Sequence, residues 1–165
     1  MKKVIKNVLT NDEREKLLKD VQPLLVDGDS IYLGKFNMWY AGRQTHPTLH
    51  LHPDFISTIN YMVKLISKEM GKNFILDKAW ANWTNGKRKD ILWHNHKDYD
   101  YAVVYYMKTL PFFNNGTLFK NGFIKAPQNS LLIFPAHLEH TAPSCPFRFE
   151  RYTLAMNLNI SSGLG

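Results

Sequence analysis

Apolar residues recur along the first part of the chain at three- and four-residue intervals, and after Gly71 mostly in short runs between polar turns. Thr10-Asn11-Asp12-Glu13 forms a capping box, with Glu13 placed to reach back to the Thr10 backbone. It opens an amphipathic helix through Leu17, Leu18 and Val21, which Pro23 ends. A second helix is predicted to start at His52-Pro53-Asp54, where proline in the first turn loses no needed N–H. Phe55, Ile59, Met62, Val63, Ile66 and Met70 then repeat at helical spacing, and Gly71 supplies the stop. Ser30 to Trp39 and Thr48 to Leu51 read as strands or irregular structure.

Beyond Gly71 the pattern predicts short strands at Ile75 to Trp83, Ile91 to His96, Tyr101 to Met107, Gly116 to Phe119, Ser130 to Phe134 and Arg151 to Ile160. Turn clusters separate them: Thr84-Asn85-Gly86, Asn114-Asn115-Gly116, Asn121-Gly122 and Ala126-Pro127-Gln128-Asn129. Helices followed by closely spaced strands predict an α+β arrangement in which an all-β core, a sandwich or jelly roll, is backed by helices. No repeat or linker divides the chain, so residues 1–165 are expected to form one domain. Its helical part spans about 1–72 and its strand-rich core about 73–160.

Composition adjusts this picture only slightly. A chain of 165 residues with 44% hydrophobic and 21% charged residues is long enough to bury a core without staples. Aromatics at 13% suit β-structure. No apolar run approaches the roughly 20 residues of a membrane helix. The opening Met-Lys-Lys-Val-Ile-Lys-Asn is not followed by the apolar stretch of a signal peptide. The one cysteine, Cys145, excludes an internal disulfide and fits a reducing compartment, so a cytoplasmic location is expected. The net charge of +7 raises the question of nucleic acid, but its densest cluster is only Lys87-Arg88-Lys89 and no nucleic-acid motif accompanies it. The same charge would also attract an acidic small molecule.

Candidate chemistry lies in three places. Trp93-His94-Asn95-His96-Lys97-Asp98 precedes the apolar Tyr101 to Tyr106 run. Residues two apart on a strand share a face, so His94 and His96 would project together, and Asp98 could join them. Two imidazoles and a carboxylate suit a divalent transition metal, although an HxH alone occurs by chance on many surfaces. The second place is Leu132 to Pro143, where an apolar strand runs into Pro135 and His137 and His140 follow. Either histidine could complete the coordination begun by His94, and His140 is preferred for its relation to the third place. There Arg151 opens the last long strand. A guanidinium inside a barrel calls for an anion, and its planar fork matches a carboxylate at two points. A structural ion pair with Glu150 or Asp100 is the plainer alternative.

Together these places resemble the iron(II)- and 2-oxoglutarate-dependent oxygenases, and within them a branch common in marine bacteria and their phages. The resemblance is carried by Trp80-Ala81-Asn82, His94-Asn95-His96, Val104-Tyr105-Tyr106, Phe134-Pro135, His140 and Glu150-Arg151 through Asn157, over roughly Ala79 to Leu158. It implies a double-stranded β-helix (a cupin-like jelly roll) with iron at its open mouth. His94 and His140 would be catalytic metal ligands. Arg151 would hold the distal carboxylate of 2-oxoglutarate, helped by Tyr105 or Asn82. The implied reaction consumes O2 and 2-oxoglutarate, releases succinate and CO2, and hydroxylates a C–H bond of a further substrate. For a phage-encoded enzyme the location would be the host cytoplasm.

One departure matters. The superfamily uses HxD or HxE, whereas His96 stands two residues after His94. Either His96 replaces the carboxylate as a catalytic ligand, which the register against Val104-Tyr105-Tyr106 favours, or Asp98 provides it with His96 as first ligand, or only two histidines bind. Two rival classes stay open: a cupin, whose metal box His94-Asn95-His96 with Asp100 approximates, and a non-catalytic jelly-roll interaction protein. Neither the substrate nor the oligomeric state is legible. Trp39, Tyr40, Arg43 and His46 form a polar-aromatic segment that suits a lid.

Overall fold

The computed structural model describes residues 1–27, 42–85, 93–113, 115–145 and 147–163. Strand β1 (Lys3–Ile5) leads into helix α1 (Asn11–Val21). Thr10 caps that helix, its hydroxyl accepting from Glu13 N at 3.2 Å while the Glu13 carboxylate accepts from Thr10 N at 2.9 Å. A single 3-10 turn (Gln22–Leu24) carries Pro23, and β2 (Val26–Asp27) follows. Strand β3 (Gly42–Gln44) precedes a second 3-10 turn (Leu49–Leu51) and helix α2 (Ile56–Met70). Helix α2 begins later than the His52-Pro53-Asp54 start predicted from sequence. Phe55 N–H donates to His52 O at 3.0 Å, and Phe55 at φ −117° is not yet helical. Gly71, at φ 63°, ends it in the left-handed conformation that a residue without Cβ adopts at no steric cost.

The remaining strands are β4 (Phe74–Thr84), β5 (Tyr101–Lys108), β6 (Gly116–Phe119), β7 (Gly122–Lys125), β8 (Leu131–Pro135), β9 (His140–Thr141) and β10 (Arg151–Ile160). They form a major sheet in the order β1-β8-β5-β10-β4-β3-β2 and a minor sheet in the order β7-β6-β9. The pairings between these strands are antiparallel, with the N-terminal strands β1, β2 and β3 joining the major sheet at its two sides. This is a jelly roll with helices against one sheet, the α+β architecture the sequence pattern predicts. β1 and β7, too short to register as apolar runs, were not anticipated.

Alternation along the strands divides the interior in two. Outward from the major sheet, Ala79, Ala81, Val103, Tyr105, Met107, Leu131, Ile133, Leu154, Met156 and Leu158 pack with Leu17, Leu18 and Val21 of α1 and Ile59, Met62 and Ile66 of α2. Inward, Ala102, Tyr106, Leu132 and Phe134 meet Phe119 of the minor sheet together with Ala126 and Ala136. The Phe119 and Phe134 rings stack edge to face at 4.9 Å and hold the two sheets together at this end. The lumen between the sheets is where the candidate chemistry collects.

Candidate metal centre and anion pocket

The His94 segment lies outside the named strands, and Ile91 and Leu92 fall outside the described residues. His94 nevertheless makes an antiparallel bridge with His140 on β9: His140 N–H donates to His94 O at 2.9 Å, and His94 N–H to His140 O at 3.2 Å. His96 is anchored separately, its N–H donating to Ala136 O at 2.8 Å. Both anchors are backbone bonds. One ring-nitrogen atom from each of His94, His96 and His140 lies within 4.8 Å of the other two. The ring centroids are 4.3 Å (His94–His140), 5.3 Å (His94–His96) and 5.3 Å (His96–His140) apart. Phe134 packs on His140 at 4.7 Å, and Trp80 lies 5.7 Å from His96.

Burial first, and then the neighbouring His94, lower the His96 pKa to about 4 and that of His140 to about 3. The Leu138 carbonyl, 2.9 Å from His140 Nδ1, opposes the shift and orients the ring. An imidazole must be neutral to ligate, and these two are held neutral near pH 7. Three imidazole nitrogen donors suit a divalent transition metal, so the residues present fit such an ion.

The structure does not bring Asp98 to this cluster; it is exposed in the turn at 97–98. Asp100, the acid of the cupin comparison, is occupied elsewhere, its Oδ2 accepting from Ile160 N at 2.7 Å. His137 is exposed. Arg43 lies 3.6 Å from Asp27 and over the Trp83 ring, and His46 is exposed. Trp39 and Tyr40 of the lid reading, and the Lys87-Arg88-Lys89 cluster, lie outside the described residues.

Arg151 is buried, 6% exposed, at the start of β10. Its Nη2 donates to Gly116 O at 2.8 Å, and its guanidinium sits 5.5 Å from the Tyr106 ring centroid. The carboxylates weighed as its structural partners are engaged elsewhere, Glu150 with Lys108 at 3.5 Å and Asp100 with the Ile160 amide.

Register sorts the remaining candidates. Gln44, Asn82, Thr153 and Tyr106 are successive partners across β3, β4, β10 and β5, and form one polar row on the lumen floor. Asn82 is therefore on the Arg151 side, where it accepts from Gln44 Nε2 at 2.8 Å. Tyr105 is not. It faces the helices, donating to Asn129 Oδ1 at 2.7 Å, and burial raises its pKa. Tyr106 occupies the place expected of Tyr105. Its hydroxyl meets Thr117 Oγ1 at 2.6 Å, and burial pushes its pKa up to about 12, against the pull of Arg151. Tyr105, expected from sequence beside Arg151, thus lies on the opposite face of the sheet, because an apolar run shows no phase. Sequence reasoning also missed Thr153 and Gln44, although Thr153 stands two residues from Arg151 and strand alternation signals it.

No family model and no curated protein sequence matches the chain. Solved structures do match. HygX from Streptomyces hygroscopicus, with nickel, 2-oxoglutarate and hygromycin B bound, superposes with a TM-score of 0.71 at 10% identity, over 98% of this chain and 83% of its own. The viral collagen prolyl hydroxylase of Paramecium bursaria Chlorella virus-1, in complex with 2-oxoglutarate, gives 0.63 at 10% identity over 95% and 94%. EctD from S. alaskensis with bound iron gives 0.68 at 12% identity over 96% and 72%. At these identities the likeness establishes the jelly-roll fold.

Proposed function

We propose that this chain is a single-domain, non-haem iron(II) oxygenase that consumes 2-oxoglutarate and O2 and hydroxylates a C–H bond of a second substrate. The observation that carries the reading is the convergence of His94, His96 and His140 in the lumen whose other end holds the buried Arg151. The similar structures support it, because three of them contain 2-oxoglutarate, iron or nickel.

In this reading the imidazoles of His94, His96 and His140 would hold the iron. The bound iron supplies oxygen activation coupled to decarboxylation of 2-oxoglutarate, giving succinate and CO2. The rest is the work of side chains. Arg151 binds the distal carboxylate, and the Tyr106 and Thr117 hydroxyls bracket its approach. Ala155, on the floor between Thr153 and Asn157, leaves room for a five-carbon diacid to lie between Arg151 and the histidines. Phe119 and Phe134 cover His140, and Trp80 covers His96, with apolar surface, while His94 is exposed at the edge of the cluster.

Anaerobic titration with Fe(II) and then 2-oxoglutarate tests the proposal through the visible charge-transfer band of the chelate. A band that disappears in His140→Ala and Arg151→Ala is expected. A histidine-only donor set also suits a metal protein that does not use 2-oxoglutarate, the cupin alternative, and bound metal without the band would select that reading. No bound metal at all would leave the interaction-protein reading.

A further inference from the structure

We propose that the outer face of the minor sheet, with the two loops at its edge, docks the protein peripherally on an anionic lipid surface. Such docking does not depend on the oxygenase reading. The exposed phenylalanines of the described residues, Phe112, Phe113, Phe123 and Phe147, all lie on this side. Phe112 and Phe113 stand in the loop from β5 to β6, and Phe147 in the loop from β9 to β10. The Phe113 and Phe147 rings meet edge to face at 5.4 Å, so two loops far apart in sequence present one apolar knob. Phe112 projects beside it, 85% exposed. The Asn115 side-chain amide donates to the Pro111 carbonyl and ties the knob to the start of β6. Phe123 pairs with Leu118 across β6 and β7, on the face opposite Thr117 and Phe119, which meet the lumen. A Cβ on Gly116 would lie 2.8 Å from the Phe123 ring, so that ring covers Gly116 and adjoins the knob. Exposed apolar side chains gathered in this way mark a surface that is covered in use.

Charge says what covers it. From Tyr101 to Phe149, the stretch that supplies the minor sheet and both loops, the chain carries Lys108, Lys120, Lys125 and Arg148 against a single acid, Glu139. Lys108 is paired with Glu150 at 3.5 Å. Lys125, opposite Gly116 in the register, and Arg148, beside Phe147, are exposed at the edge of the knob. The whole-chain charge of +7 has the same sign. On an anionic membrane the rings enter the headgroup boundary while the cations meet lipid phosphates and carboxylates. A second copy of this chain would bring the same charge and be repelled. Single-stranded nucleic acid stacks its bases on open ring faces along a basic groove. Here Phe113 and Phe147 pack on each other and Phe112 protrudes, which suits an apolar medium that accepts a ring in any orientation.

Sedimentation of the full chain with phosphatidylcholine vesicles, with and without phosphatidylserine, tests the assignment. Vesicles that carry phosphatidylserine are expected to bind at least about tenfold more tightly than phosphatidylcholine alone, and added salt to weaken the binding. Phe112→Ser is expected to weaken it roughly tenfold, because the ring no longer enters the lipid. Arg148→Gln is expected to weaken it about fivefold, and only on the phosphatidylserine vesicles. Both side chains are exposed, so thermal denaturation of the two variants should match the wild type. The wild-type comparison of the two vesicles and the Arg148→Gln result stand even if Phe112→Ser folds poorly. No binding to either vesicle, equal binding to both, or undiminished binding in folded Phe112→Ser would overturn the proposal. So would binding of oligothymidylate or polyglutamate with the phosphatidylserine vesicles left unbound, which would give the surface to nucleic acid or to an acidic protein.

Discussion

His94 and His140 exchange both of their backbone hydrogen bonds, at 3.2 and 2.9 Å, and this brings their imidazoles to 4.3 Å. Directly opposed residues of an antiparallel bridge have side chains on one face. A loop histidine and a strand histidine far apart in sequence are thereby placed side by side before any ion binds.

Removing one ring should therefore cost metal affinity and little else. His94→Ala, His96→Ala and His140→Ala are each expected to weaken Fe(II) or Zn(II) binding by at least about 100-fold, more than loss of a supporting outer residue costs. Asp98→Ala should leave it unchanged. Isothermal titration of the four variants decides the third ligand, and equal losses in Asp98→Ala and His96→Ala would contradict the assignment.

Arg151→Lys keeps the charge but removes the planar fork. In the Zn(II)-loaded protein it should weaken 2-oxoglutarate binding about 10- to 100-fold, the worth of a charged two-point hydrogen bond. Metal affinity should not change, so calorimetry with each ligand in turn separates the two ends of the lumen.

The adjacent tyrosines should behave differently. Tyr105→Phe loses the hydrogen bond to Asn129 and is expected to cost about 1 kcal/mol in urea unfolding, with 2-oxoglutarate affinity intact. Tyr106→Phe should lower 2-oxoglutarate affinity several-fold. The reverse pattern would place the cosubstrate on the wrong side of the sheet.

Gly116 couples the minor sheet to Arg151 through its carbonyl. A Cβ there would lie 2.0 Å from Ile124 O, so β6 and β7 would have to separate. Gly116→Ala is expected to destabilise the fold by about 2–3 kcal/mol, as overpacking does, and to weaken 2-oxoglutarate binding as well. Thermal denaturation and calorimetry would show both effects.

The buried histidines predict an acid-sensitive metal-free protein. Their pKa values in the folded state, about 4 for His96 and about 3 for His140, lie below the ordinary 6.5, so the unfolded chain binds more protons between those limits. Stability from this source is complete above pH 6.5 and falls as pH is lowered through the window to about 3. The Tm of metal-free protein should drop across that range, and less steeply in a His96→Asn/His140→Asn variant.

Local pattern alone specified much of this protein. The Thr10 capping box, the Gly71 stop and the strand from Arg151 to Ile160 follow from spacing and residue type, which act over a few neighbours. So does the candidate status of His94, His96, His140 and Arg151, because few residue types ligate metals or fork onto carboxylates. Tertiary structure decided what depends on pairing. β10 lies between β4 and β5, and that register puts Tyr106, Asn82, Thr153 and Gln44 on the lumen and Tyr105 against the helices. An apolar run reads the same in either phase, and only the partner strands and the layer of helices determine which face is inside. The short strands β1 and β7 exist for the same reason, since their partners supply the hydrogen bonds that three or four residues cannot secure alone.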